Sequence, residues 1–188
     1  MITSKEEYKY YVAADLKANN YKTWKFRYRL LPGYSLIHAH KLLREVEYLQ
    51  NCGKGIISKF LLRYKRIRFQ QVTIKLGLTI HPNVFGPGLS IAHFGSVVTN
   101  ANTIIGKNCR IHSGTNIGEG GGKTPIIGDN VYIGPGAKIF GGITIGDNVA
   151  IGANAVVNKD VPSNVTVGGI PAKIISNKGS QNLVKENA

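Results

Sequence analysis

The sequence predicts a mainly β protein: a parallel β-helix preceded by a short helical segment. Two repeating features carry that prediction. Ile127, Ile133, Ile139, Ile145, Ile151 and Val157 recur every six residues, and a small or aliphatic partner follows each by four, from Val131 and Ala137 through Ile143, Val149, Ala155 and Val161. Gly follows the leading Ile at Gly128, Gly134, Gly146 and Gly152. An amphipathic helix would place apolar residues at three and four, and a hairpin sheet would alternate between turns. A period of six instead marks a parallel β-helix, in which each hexad gives one short strand and one corner. Gly or Asn is expected at those corners, where φ > 0 is tolerated.

A third observation sets the boundary. Residues 1–75 hold 16 Lys and Arg against 5 acids, whereas residues 76–188 hold 8 against 5, within a total net charge of +14. The chain therefore divides into a basic, helical segment 1–76, a β-helix 77–176 and a polar tail 177–188 that is expected to fray. No apolar run is long enough to span a membrane, and the N-terminus carries no signal-like pattern. Cys52 and Cys109 lie outside any CxxC motif. Both are expected as free thiols in a reducing compartment, with Cys109 buried in a hexad. A cytoplasmic location follows as the expectation.

In chain order, Ser4 with Glu7 three residues on forms a capping-box pattern for a first helix ending near Asn19-Asn20. Pro32-Gly33 breaks the chain, and a second helix is expected from Ser35 to about Gln50. A third should span Ile56 to Gln71, mixing Lys59, Arg63, Lys65, Arg66 and Arg68 with Phe60, Leu61, Tyr64, Ile67 and Phe69, without one acid. Its plainest reading is a helix packed on the β-helix with its cations in solvent. A peripheral contact of residues 56–71 with an anionic membrane, at the inner membrane surface, is the second reading. Nucleic acid is not expected, because no recognition motif accompanies the cations. His38 and His40 are two apart on a helix and point to different faces, so they make no metal pair.

From Leu78 the hexads begin loosely and become regular at Ile105, Ile111 and Ile117. Between Ile117 and Ile127 the spacing widens to ten, so Glu119-Gly120-Gly121-Gly122 must leave the coil as a loop. A phosphate-binding P-loop does not fit this stretch. Gly118 stands too close to Gly122-Lys123-Thr124, and Pro125 and further hexads follow where a helix is required.

Gly152-Ala153-Asn154-Ala155-Val156-Val157-Asn158-Lys159-Asp160-Val161-Pro162, with Gly168-Gly169-Ile170-Pro171-Ala172-Lys173, resembles the end of hexapeptide acyltransferases. Ile80-His81-Pro82 through Gly118 resembles their serine O-acetyltransferase branch. The resemblance implies a left-handed β-helix with three hexads per coil, a homotrimer with sites between subunits, and acetyl-CoA as donor without a metal. Where that branch carries Asp-His and then Arg-His-Pro, this chain has Ala92-His93 and Lys123-Thr124-Pro125. The missing groups are those expected to grip an amino acid, and short basic N-termini resemble relatives that acetylate capsular or exopolysaccharides. A sugar acceptor is therefore favoured, with serine as the alternative and a non-catalytic or metal-binding β-helix protein as a third reading.

On that resemblance His93 is the candidate general base. His112 is one coil plus one position further along, which places it near His93 as a second catalytic candidate. His81 belongs to a family triplet read as structural. Lys123 stands at the family's arginine and is the candidate acceptor contact. Pro135, Ala153 and Pro171 are evenly spaced by three hexads, so with three hexads per coil they should stack as one groove for pantetheine. Gly118 in the Gly-rich loop, with Lys159 and Lys173 toward the CoA phosphates, completes the expected donor site.

Overall fold

The computed structural model describes residues 1–21 and 34–184. Helices α1 (Lys5–Ala18), α2 (Tyr34–Cys52) and α3 (Gly55–Leu76) precede a left-handed parallel β-helix of triangular section. Face 1 stacks β1 (Leu78–Thr79), β3 (Val97–Thr99), β6 (Asn116–Gly118), β9 (Lys138–Phe140) and β12 (Val156–Val157). Face 2 stacks β4 (Ile104–Ile105), β7 (Ile126–Ile127) and β10 (Thr144–Ile145). Face 3 stacks β2 (Ser90–Ile91), β5 (Arg110–Ile111), β8 (Tyr132–Ile133), β11 (Ala150–Ile151) and β13 (Thr166–Gly168). The chain runs from face 3 to face 1 to face 2. We call the corners edge I (face 3 to 1), edge II (face 1 to 2) and edge III (face 2 to 3).

The hexads explain this arrangement. Ile117, Ile127, Ile133, Ile139, Ile145 and Ile151 all point inward at 0–1% exposure, and Val131, Ala137, Val149 and Ala155 fill the space beside them. Each such aliphatic side chain withdrawn from water contributes about 1.5–3 kcal/mol. Cys109 takes a hexad core position, and burial pushes its thiol up to about 12. Both cysteines are free.

Corners use Asn as expected. Every non-glycine residue with positive φ among the described residues is Asn. On edge III, Asn108, Asn130, Asn148 and Asn164 form a ladder in which each Nδ2 donates to the next Oδ1 at 2.8–2.9 Å. Beside it, Asp129 accepts from Lys107 N, Asp147 from Asp129 N, and Ser163 from Asp147 N. Side chains thus satisfy corner amides that no strand can reach.

The helices hold to the first coil through one buried cation. Arg44 donates to Asp15 Oδ2 at 2.8 Å, to Glu47 Oε2 at 2.9 Å and to the carbonyls of Phe85 and Gly86. Asp15 Oδ1 in turn accepts from Gly88 N and Leu89 N, and Glu47 Oε1 from Asn83 N. Burial works against the Arg44 charge, but Asp15 and Glu47 outweigh it and keep the guanidinium protonated. His38 and His40 share α2; His40 is fully buried, and that burial draws its imidazole down to about 4.

Several expectations are corrected. At the first cap Ser4 Oγ accepts from Glu7 N, but the Glu7 carboxylate reaches back to Thr3, one residue beyond a capping box. Helix α3 continues past Gln71 to Leu76, because Val72 and Leu76 pack on the core and only Gly77, left-handed at φ 72°, ends it. Pro32-Gly33 lies outside the described residues. The tail does not fray at residue 177: Ser180 is buried, donating from Oγ to Asn130 O and from N to Asn148 O. Strand β14 (Lys173–Ser176) turns back antiparallel on β13.

Asn130 both occupies a left-handed corner and sits mid-ladder. Asn130→Ala is expected to lower unfolding stability by about 2–4 kcal/mol, from two lost hydrogen bonds and a strained backbone. Asn130→Gly should cost measurably less, because the strain is relieved. Urea unfolding of both variants measures the difference.

Candidate functional site

Strand register decides which candidates share a corner. Ile91 pairs with Ile111, Ile111 with Ile133 and Ile133 with Ile151. Two positions past each lie His93, Ser113, Pro135 and Ala153. The last three form one column along edge I, whereas the His93 corner is two residues longer, since Val98 pairs with Asn116, and Gly95 rather than His93 lies against Ser113. Coils stack about 4.8 Å apart, so the coils that carry His93 and Ala153, three apart, are offset by roughly 14 Å along the axis. Pro135 and Ala153 are exposed, and no bulky side chain of the column stands between them.

Pro171 leaves the column, which corrects the even spacing read from the hexads. Ile151 pairs with Val167, a shorter step than Ile133 to Ile151, so the position beyond Ala153 is Gly169. Pro171 falls in the turn to β14. Lys173 pairs with Gly168 and so lies at the far end of edge I.

His93 is exposed at its corner, and the His112 ring lies 5.9 Å away between centroids. The coil from Ile91 to Ile111 is longer than three hexads, so His112 aligns with Ala92, whose N–H donates to Ile111 O, and His93 lies one position past it. The pair is still displaced by one position, in the opposite direction. Tyr132, on the next coil, packs against His112 in an edge-type contact with ring centroids 5.2 Å apart. Burial draws the His112 imidazole below its ordinary value, with Arg110 and His93 adding to the effect. Its Nε2 is buried without a hydrogen-bond partner among the described residues. His112 therefore stands neutral at pH 7 with a ring nitrogen uncommitted.

A cavity of about 380 Å³ opens beside His93, between β2 and the helical segment. Asn19, Ser90, Ile37, Phe94 and Arg110 contribute to its wall, and no carboxylate does among the described residues. Asn19 is fixed by donating to Leu89 O and accepting from Ser90 Oγ. Sequence reading passed over Arg110, Tyr132 and Asn19. Arg110 and Tyr132 flank the inward Ile111 and Ile133, so their outward direction was legible once the hexads were assigned.

Gly118, Lys123 and Lys159 lie on edge II, a different corner. Gly118 ends β6, and the expected loop closes at once as a tight turn, with Gly120 and Lys123 exchanging backbone hydrogen bonds. Gly121 and Gly122 take φ of 63° and 77°, values that suit glycine at a tight hairpin. Lys123 lies against Gly142, where a Cβ would meet its side chain at 2.7 Å. The Thr124 hydroxyl is committed to Asn102 O at 2.9 Å. One chain thus brings His93, His112, Pro135 and Ala153 together on edge I, and keeps Gly118, Lys123 and Lys159 apart from them. His81 lines another cavity, against α3. Among the described residues no three His, Cys, Asp or Glu side chains converge as a metal site.

Residues 124–159 match the family described as "Bacterial transferase hexapeptide (six repeats)". The chain is 35% identical over 153 residues to a serine acetyltransferase of Synechococcus elongatus, covering 79% of this chain and 59% of the relative. It thus spans about three fifths of that relative's length. Among solved structures, Neisseria gonorrhoeae serine acetyltransferase in complex with serine is 34% identical, with a TM-score of 0.67, covering 92% of this chain and 71% of that one. Serine acetyltransferase from Brucella abortus strain S19 in complex with coenzyme A is 29% identical, with a TM-score of 0.69, covering 93% and 70%.

The His112 environment has a direct readout. In a pH titration by NMR its imidazole is expected below the usual histidine value. Arg110→Gln removes a repulsive positive charge and should raise it toward, but not beyond, that value. A His112 that titrates normally in wild type would contradict the geometry.

Proposed function

We infer that this chain, which belongs to the hexapeptide-repeat transferase family, is an acetyl-CoA-dependent O-acetyltransferase with His93 as its general base. The observation that carries the reading is edge I, with an exposed histidine on its first corner and a column of small exposed residues on the coils beyond it. An extended pantetheine arm fits along Pro135 and Ala153, and Lys173 stands at the far end for the CoA phosphates. Lys159 lies on edge II and serves this groove only from a neighbouring subunit.

The chemistry asks little else of the protein. The His93 imidazole takes the proton of the acceptor hydroxyl as its oxygen attacks the thioester carbonyl carbon. The new C–O bond forms, the C–S bond breaks, and the proton passes from His93 to the departing CoA sulfur. His112, its ring 5.9 Å from that of His93, packs behind the base on the next coil.

A homotrimer completes the site. The His93 half and the Gly118–Lys123 half lie on separate edges of one chain, so they meet only if one chain's edge I faces another's edge II. Backbone N–H groups of the Gly-rich turn then lie near the developing oxyanion, where such donors contribute most.

For the acceptor, the relatives favour L-serine over the sugar that the residue pattern suggested, since the similar proteins are serine acetyltransferases. The saccharide reading keeps one specific support: Ala92 and Thr124 replace groups expected to hold an amino acid, and the His93 cavity has no carboxylate for an ammonium among the described residues. Thiol release from acetyl-CoA, measured with L-serine and with a panel of oligosaccharides, separates the two. Turnover on either is expected to fall about 10²- to 10⁴-fold in His93→Ala. Activity that survives this substitution would move the base elsewhere, and no turnover with any hydroxyl acceptor would overturn the reaction class.

A further inference from the structure

Helix α3 carries two apolar faces, and only one of them is covered. Phe69 and Thr73 are its buried residues, with Leu62, Val72 and Leu76 packed beside them on the core. Ile56, Ile57, Phe60, Tyr64, Ile67 and Ile74 are between 48% and 73% exposed. At about 100° per residue these six fall within an arc of roughly 100°, on the side away from the packed face.

Charge is arranged around that stripe. Lys59 and Arg63 flank it on one side, and Arg68 and Lys75 on the other, with no acid anywhere on the helix. Lys65 and Arg66 are tied to Glu45 and Gln50 of α2, which fixes the helix with its stripe outward. Among the described residues no helix is long and apolar enough to cross a membrane.

We propose that the outer face of α3 docks on an anionic lipid surface, with its aromatic and aliphatic stripe in the headgroup boundary and its flanking cations on lipid phosphates. A stripe of large apolar side chains bordered by Lys and Arg is the pattern of an in-plane interfacial helix. Charge complementarity selects this occupant over a second copy of the chain. Two such faces packed on each other would oppose cations with no acid on either helix. The helix also ends at the candidate site: Gly95 N donates to Leu76 O and Val97 N to Gly77 O, just past His93 in the chain. Docking through α3 therefore holds the His93 corner at a fixed place relative to the lipid surface. The surface proposal does not depend on the reaction assigned to that corner.

Co-sedimentation of the full chain with vesicles tests it. Vesicles of phosphatidylcholine with a third phosphatidylglycerol are expected to bind at least ~10-fold more protein than phosphatidylcholine alone, and about 0.5 M NaCl should reverse most of that gain. Phe60→Ser with Ile67→Ser should abolish binding while leaving the melting temperature unchanged, since both side chains are exposed. Lys59→Glu with Arg63→Glu should do the same through charge. Equal binding to both vesicle types, or unaltered binding by the Ser variant, overturns the proposal. A fall in oligomer size on Phe60→Ser in analytical ultracentrifugation, without vesicle binding by wild type, would assign the face to a second copy and also overturn it.

Discussion

Everything in this molecule depends on the parallel register of one coil upon the next. Backbone amides of each strand donate to the coil beyond, for example Gly134 N to Ile151 O and Gly106 N to Ile127 O, while inward isoleucines stack beneath them. Register holds on the faces even though coil length does not. Ile91 pairs with Ile111, Ile111 with Ile133, Ile133 with Ile151 and Ile151 with Val167, and no two of these steps enclose the same length of chain. The differences are absorbed at corners, where a turn can lengthen without disturbing a strand. The Gly-rich excursion on edge II therefore leaves the column on edge I intact.

The helical segment is fixed to this stack by charge as well as by packing. Arg44, Asp15 and Glu47 are all buried, and the carboxylates also accept backbone amides of Asn83, Gly88 and Leu89. Removing one partner from such a set would strand a buried charge at a cost of about 3–5 kcal/mol. The consequence for the site is positional. Asp15 and Asn19 lie one turn apart on the same stretch, so the clamp that holds Asp15 also sets Asn19 against Ser90 and closes one wall of the His93 cavity.

The β-helix was legible because its signal is periodic and local. Inward Ile, corner Asn and the widened Ile117–Ile127 interval each announce themselves within a short window of sequence. His93 was legible by resemblance, and its closeness to His112 followed from coil length to within one position. Features built from long separations were not legible. Nothing near Asp15 announces that the distant Arg44 will pair with it, and nothing near Ser180 points to Asn130. Pro171 misled because regular hexads implied coils of equal length, whereas the last coil is shorter. The donor residues looked like one group in sequence, yet Gly118 and Lys159 sit on edge II because strands β6 and β12 belong to face 1.

The central claim is that edge I holds both the base and the donor groove, and Ala153 tests it most directly. Its side chain is exposed partway along the column, so Ala153→Trp fills the groove without entering the core. Calorimetric titration with coenzyme A is expected to show affinity reduced by at least ~10-fold, with the melting temperature unaltered. Undiminished affinity in this variant would mean that the donor lies along another edge, and the account of the site would fail.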